Sequence, residues 1–269
     1  MDPRIIYYYQ TFDGLDGILH KGTPVTHIHL SSIHFGYLKE TKPEENERFG
    51  KPYIHLNDKD PEDPSFDKVW DEVERASALG IKVALMVGGA GGAYKDLFDN
   101  FDVFYPMLLQ VFADHSFLSG INLDIEEPVS LSQITMLIDR LSTDLDAEIS
   151  MAPLSGSLAT DGGGMGGFSY KDLWTSPAGA YISYFNGQFY GSFSVETFEA
   201  CVANGYPPHA IVMGCLAPLS EKDEKNVYET LESLAKKYKI GGAFLWEYFE
   251  APKDWAPKVK KALTPSTLH

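Results

Sequence analysis

Three polar residues at alternate positions, Asn122, Asp124 and Glu126, interrupt a run that is otherwise apolar at Leu118, Ile121, Leu123 and Ile125. Side chains alternate faces along a strand, so these three project from one face and the apolar residues from the other. A row of carboxyl groups is costly to bury unless it is paired and hydrogen-bonded, so it lines a site more readily than it fills a core. Two acids on one strand face also have a chemistry. One raises the pKa of the other, and a carboxyl kept protonated toward neutral pH can act as a general acid. The plainer alternative is a strand whose polar ends face solvent.

Such a row needs elements to hold it. Apolar, β-rich segments alternate with amphipathic helical ones along the chain, the pattern of a parallel α/β fold. Strands are expected at residues 4–9, 25–31, 82–87, 119–126, 148–153, 180–185, 210–214 and 242–246. Helices are expected at 103–114, 131–144 and 223–238. Another begins after Asp63, with Pro64 in its first turn. Its buried face would carry Val69, Trp70, Val73, Ala76 and Leu79. Residues 35–62 read as a long loop rich in charge and proline, with a short strand near 53–56. Eight strands within 269 residues suit a single (β/α)8 TIM barrel, which needs about 250. That barrel would be one catalytic-type domain over residues 1–269, with its site at the C-terminal ends of the strands.

The segment Ser119-Gly120-Ile121-Asn122-Leu123-Asp124-Ile125-Glu126 resembles the strand-four signature of glycoside hydrolase family 18, Asp-Gly-x-Asp-x-Asp-x-Glu. Gly120, Asp124 and Glu126 match it; Ser119 and Asn122 stand where the family has aspartate. Further similarities follow in order. Met86-Val87-Gly88-Gly89 is similar to the family's Ser-x-Gly-Gly, Met151-Ala152-Pro153 to its Met-Ala-Pro, and Gln188-Phe189-Tyr190 to its Gln-Phe-Tyr. Trp246 falls on the strand-eight tryptophan. Residues 54–58 and Glu126-Glu127-Pro128 resemble compact fungal and bacterial members.

The resemblance implies a retaining hydrolase in which the acetamido oxygen of the substrate is the nucleophile. It makes Glu126 the general acid, then base. Asp124 holds the acetamido group, and the Tyr190 hydroxyl bonds its carbonyl. Asn122, Gln188, Trp246, Met151 and Tyr7 become substrate contacts, with Trp246 as the floor beneath the sugar. It implies no metal or organic cofactor, and the chain lacks room for the α+β domain inserted between strands seven and eight in some members. Asn122 would hydrogen-bond to Asp124 without sharing a proton with it. Catalysis is then expected to be weakened and its pH profile altered, with Ser119 affecting structural support more than chemistry.

The net charge of −16 argues against nucleic acid or an anionic membrane as partner and is compatible with a neutral sugar. Cys201 and Cys215 make no disulfide scaffold, and a single bridge between them stays open. His27 and His29 share a strand face, but no Asp or Glu spacing completes a metal site with them, His34 or His55. The five glycines at 88–92 do not fit dinucleotide-binding spacing, because position 94 is tyrosine. The run 161–167, nearly bare of side chains, is either a mobile rim or an idle loop. No signal-peptide pattern opens the chain, so the protein is expected in the cytoplasm, or secreted with its signal already removed.

The function expected is cleavage of β-1,4 linkages between N-acetylglucosamine units by a monomer. The substrate is chitin or its oligomers, or alternatively the chitobiose core of N-glycans. A chitin-binding protein that has lost catalysis, and a barrel recruited to other chemistry, are the remaining readings.

Overall fold

A computed structural model describes residues 2–38 and 50–265. The strands are β1 (Arg4–Tyr9), β2 (His27–Leu38), β3 (Lys51–Leu56), β4 (Lys82–Gly88), β5 (Gly120–Asp124), β6 (Glu148–Met151), β7 (Ile182–Gln188), β8 (Ile211–Leu216) and β9 (Gly242–Trp246). All but β3 pair in parallel around a ring, and β1 closes it by pairing with both β2 and β9. The main helices are α1 (Asp67–Ala78), α2 (Tyr94–Asp99), α3 (Phe101–Asp114), α4 (Leu131–Asp144), α5 (Ser155–Ala159), α6 (Tyr170–Thr175), α7 (Val195–Ala203), α8 (Glu221–Lys237) and α9 (Trp255–Leu263). This is the expected (β/α)8 barrel, and only α8 and its loops lie between β8 and β9.

Strand pleating divides the core in two. The outward residues, among them Ile121, Leu123 and Ile125 of the acid-bearing segment, pack against the helices. Ile6, Tyr8, Met86, Tyr184, Val212 and Phe244 fill the lumen instead. The lumen's lower end is charged. Lys82 Nζ lies 2.6 Å from Glu148 Oε1 and His27 Nε2 lies 3.3 Å from Glu148 Oε2. Burial alone would raise the Glu148 carboxyl, but hydrogen bonds from His27 and Lys82 outweigh it and bring it to about 2. Burial holds His27 below its usual range, which leaves Lys82 as the cation.

Several expected boundaries differ, three of them by more than a trimmed element end. Residues 35–38 continue β2 rather than starting a loop. The register with β4 shifts between Leu30 and Ile33, and the strand then runs on as an antiparallel ribbon with β3, from Ile33↔Leu56 to Leu38↔Lys51. The ribbon's apolar face is seated on α3, with Phe35 and Phe104 rings 5.4 Å apart. Much of the charge that suggested a loop falls at residues 39–49, outside the described residues. Asp63 does cap, but it caps a 3-10 turn at Pro64–Phe66 that leads into α1, and Leu79 is exposed. A second 3-10 turn, Pro177–Tyr181, delays β7, so Gln188 ends that strand.

Candidate active site

The upper ends of β5, β7 and β9 bring Asp124, Gln188 and Trp246 to the mouth, with Glu126 and Tyr190 two residues beyond their strands. β5 can approach β4 this closely because Gly88 and Gly89 lack side chains. A Cβ on Gly88 would lie 2.2 Å from the Asp124 carbonyl oxygen. The Gly89 amide instead donates to that oxygen at 2.9 Å. Both glycines have φ values of +94° and +81°, which favour residues without a Cβ. After the strand end, α4 begins with a capping box in which the Gln133 amide donates to Ser130 Oγ and the Ser130 amide to Gln133 Oε1.

Asp124 is 6% exposed. It accepts from Gln188 Nε2 at 3.3 Å, and the same nitrogen donates to the Ala152 carbonyl at 2.9 Å. Burial, and then the charge of Glu126, hold the Asp124 carboxyl well above the usual carboxylate range. Glu126 is half-buried. Burial, then Asp124, keep the Tyr190 phenol far above its ordinary value, so its hydroxyl is available as a donor. The half-exposed indole of Trp246 packs on Tyr8, with ring centroids 5.2 Å apart. Glu126, Asp124, Tyr190, Gln188 and Trp246 therefore gather at one end of the barrel.

Three expected substrate contacts do not. Asn122 is 0% exposed, and the hydrogen bonds of its amide run to Tyr8 and Ser150 rather than to Asp124. The Tyr8 hydroxyl donates to Asn122 Oδ1 at 2.9 Å, and Asn122 Nδ2 donates to Ser150 Oγ at 2.9 Å. Tyr7 faces outward, its ring 5.0 Å from Trp255 and 5.1 Å from Tyr248, because pleating gives the lumen to Tyr8. Met151 is fully buried in the outer layer beside Leu123, because Ser150 takes the inward position. Ser119 bonds the backbone of β4 at Val83, at the foot of the strand.

Sequence reading missed the polar layer beneath the acids. Asn186 Nδ2 donates to the Tyr8 hydroxyl at 2.8 Å and lies 3.3 Å from His29 Nδ1. Burial, then His27, hold His29 well below its usual range and therefore neutral. Asn186 was findable, since it sits two residues before Gln188 on the same face. Glu127 was also missed: its carboxylate accepts from the Ala93 and Tyr94 amides and closes the glycine loop onto β5. Glu247 accepts from the Gln10 and Thr11 amides at 3.1 and 3.2 Å, tying β9 to the loop after β1.

The cysteines and the glycine run have defined places. Cys201 and Cys215 are both free and buried, and burial pushes each thiol up to about 12. The glycine run at 161–167 is folded against the end of β5, with Gly166 O accepting from the Val129 amide and Gly163 O from that of Gly167. Among the described residues, no three His, Cys, Asp or Glu side chains gather as a metal site. No described helix is long and apolar enough to cross a membrane.

No protein-family model matches the sequence, nor does any curated protein. Solved structures do. The chain is similar to a fungal endo-β-N-acetylglucosaminidase from glycosyl hydrolase family 18, with 30% identity and a TM-score of 0.83 over 98% of this chain and 99% of that one. It is similar to the chitinase ChiC from Aspergillus fumigatus, also at 30% identity, with a TM-score of 0.79 over 97% and 99% of the two chains. A xylanase–α-amylase inhibitor protein shares the fold alone, at 16% identity and a TM-score of 0.60 over 98% of both chains. The barrel by itself therefore does not fix an activity.

Proposed function

The chain belongs to glycoside hydrolase family 18, and from that premise we propose that it cleaves β-1,4 linkages between N-acetylglucosamine units with retention of configuration. The observation that carries this reading is the pairing of a buried Asp124, raised by burial and by the nearby Glu126, with that half-open Glu126 two residues past it, beyond the end of β5. The acetamido oxygen of the substrate attacks its own anomeric carbon while the glycosidic bond breaks. Glu126 gives its proton to the leaving oxygen. Asp124 accepts from the acetamido N–H, and the Tyr190 O–H donates to the carbonyl oxygen as it attacks. The positive charge of the oxazolinium ring that forms favours the ionised form of Asp124 beside it. Water next attacks the anomeric carbon, returning a proton to Glu126 and releasing the acetamido group. Trp246 supplies an aromatic floor for the sugar's C–H face.

A second substrate has an observation in its favour. The similarity to an endo-β-N-acetylglucosaminidase matches that to a chitinase in identity, so the chitobiose core of an N-glycan is the alternative target of the same chemistry. Incubation with chitohexaose and with an N-glycopeptide, followed by mass spectrometry, separates the two. Glu126→Gln is expected to lower kcat on the true substrate about a hundred- to ten-thousandfold. Full activity in that variant would refute the mechanism. Binding of either sugar by the unaltered protein without cleavage would point to the non-catalytic reading.

A further inference from the structure

β1 runs out of ladder partners before the chain reaches the mouth of the barrel. Its register with β9 stops at Tyr7↔Leu245, one residue short of Trp246, and its register with β2 stops at Tyr9↔Leu30. Two side chains take over where the ladders end, and both hold the segment at residues 10 and 11. Glu247 directly follows Trp246 and is 8% exposed. Its Oε2 accepts from the Gln10 amide at 3.1 Å and from the Thr11 amide at 3.2 Å. Asn57, just past β3, works from the other side. Its Nδ2 donates to the Gln10 carbonyl at 3.0 Å, and its Oδ1 accepts from the Ser32 amide at 3.2 Å.

Asn57 is itself fixed. Its amide donates to the Ser32 carbonyl at 2.9 Å. Its backbone has φ +54°, a left-handed conformation that asparagine enters more readily than most residues with a side chain. Trp246 is held less evenly. On the β8 side it pairs with Leu216, and its carbonyl accepts from the Ala217 amide at 2.7 Å. On the β1 side the register ends below it, and the half-exposed indole leans on Tyr8 with ring centroids 5.2 Å apart. The two bonds to Glu247 supply on that side the tie between β1 and β9 that the sheet does not.

We propose that Glu247 and Asn57 are positioning residues: they clamp residues 10 and 11 between β9 and β2, and through that clamp fix the Trp246 indole as the floor for the sugar. This rests on the family-18 hydrolase reading and deepens it. Neither side chain touches the substrate in this role. Without the clamp the indole loses its fixed orientation. The binding energy lost is shared by bound substrate and transition state, so KM rises while kcat is nearly unchanged.

A double-mutant cycle separates this role from general structural support. Glu247→Ala, and Asn57→Gly, which keeps the left-handed backbone, are each combined with Trp246→Ala in a Glu126→Gln background. Binding of chitohexaose and of the N-glycopeptide is measured by calorimetry. On the ligand that binds, each change is expected to cost about fivefold in affinity, about 1 kcal/mol, when Trp246 is present. With Trp246→Ala it should cost less than about twofold. Glu247→Gln, which keeps an oxygen for the two amides, should restore the affinity. With Glu126 intact, Glu247→Ala should raise KM by a similar factor at a nearly constant kcat. Where Trp246→Ala abolishes binding, that KM shift and the glutamine rescue decide. Equal losses with and without Trp246, no loss, or no rescue would overturn the clamp. If Glu247→Ala does not fold, Asn57→Gly decides by the same cycle, and failure of both to fold would overturn it. The expected binding pattern without hydrolysis by the unaltered chain would overturn the hydrolase reading and leave the clamp standing. Failure of the parent to bind either ligand would overturn both.

Discussion

Position 122 shows how a single amide alters the electrostatics of an acid row. Asn122 is buried with both its polar atoms engaged, by the Tyr8 hydroxyl and by Ser150. A carboxylate there keeps the bond from Tyr8 but loses the donor to Ser150, and it adds an ionisable group to the lumen beside Asp124. Asn122→Asp is therefore expected to lower the Tm at pH 7 and to shift the acid limb of the pH dependence of kcat/KM. An unchanged profile would show that position 122 is decoupled from the acids. Asp124 itself carries a cost. Its folded-state pKa is raised, so the folded chain binds that proton more tightly than the unfolded chain. Below about pH 4, the ordinary Asp value, both states are protonated and there is no cost. As pH rises from there through the folded-state pKa, ionisation progressively destabilises the fold. Asp124→Asn removes that cost and still accepts from Gln188. Its Tm should exceed the unaltered protein's at pH 7, with the gap closing toward pH 3, while hydrolysis is lost. A gap independent of pH would refute the account.

At the level of elements, the chain's pattern was legible where its two strand faces differ in polarity. Asp124 of β5 and Glu126 just beyond it stand out because they alternate with Leu123 and Ile125, and the row's placement at a barrel strand end followed. Arg4–Tyr9 carries no such contrast. Both faces of β1 are buried, as is usual for a parallel strand, so the choice of Tyr7 over Tyr8 had no support in the local pattern. At Met151 the signal was present: Ser150 is polar and in phase with Asn122 across β5 and β6, which marks Met151 as outward. The ribbon beyond β2 was hidden because its pairing partner lies on the far side of a charged segment. The glycines were readable as a sharp turn, but not as the clearance that lets β4 meet β5. That clearance is testable. Gly88→Ala would place a Cβ against the Asp124 carbonyl at φ +94°, and it should cost roughly 3 kcal/mol. The expected result is a Tm lowered by several degrees together with lower kcat, read by calorimetry and product assay. Full activity at an unchanged Tm would mean that β4 and β5 separate without disturbing the acid row.

The whole molecule carries a net charge of −16, while the proposed substrate carries none. A uniform negative potential steers charged ligands from a distance, but it exerts no net force on a neutral sugar until contact. Salt shortens the reach of that potential, from about 10 Å at 0.1 M to about 3 Å at 1 M. Binding that depends on Trp246, Tyr190 and short hydrogen bonds works at distances salt does not screen. With N-acetylated oligomers, kcat/KM should therefore change by less than about twofold over that range of salt. Partly deacetylated oligomers bear ammonium groups, and the potential gathers them toward the protein. Any activity on them should be highest at low salt and fall several-fold as salt rises. Steady-state rates on the two substrate classes at four salt concentrations separate contact recognition from long-range attraction. A steep salt dependence with the fully acetylated substrate would show that charge, rather than the aromatic floor and the buried acid, governs capture.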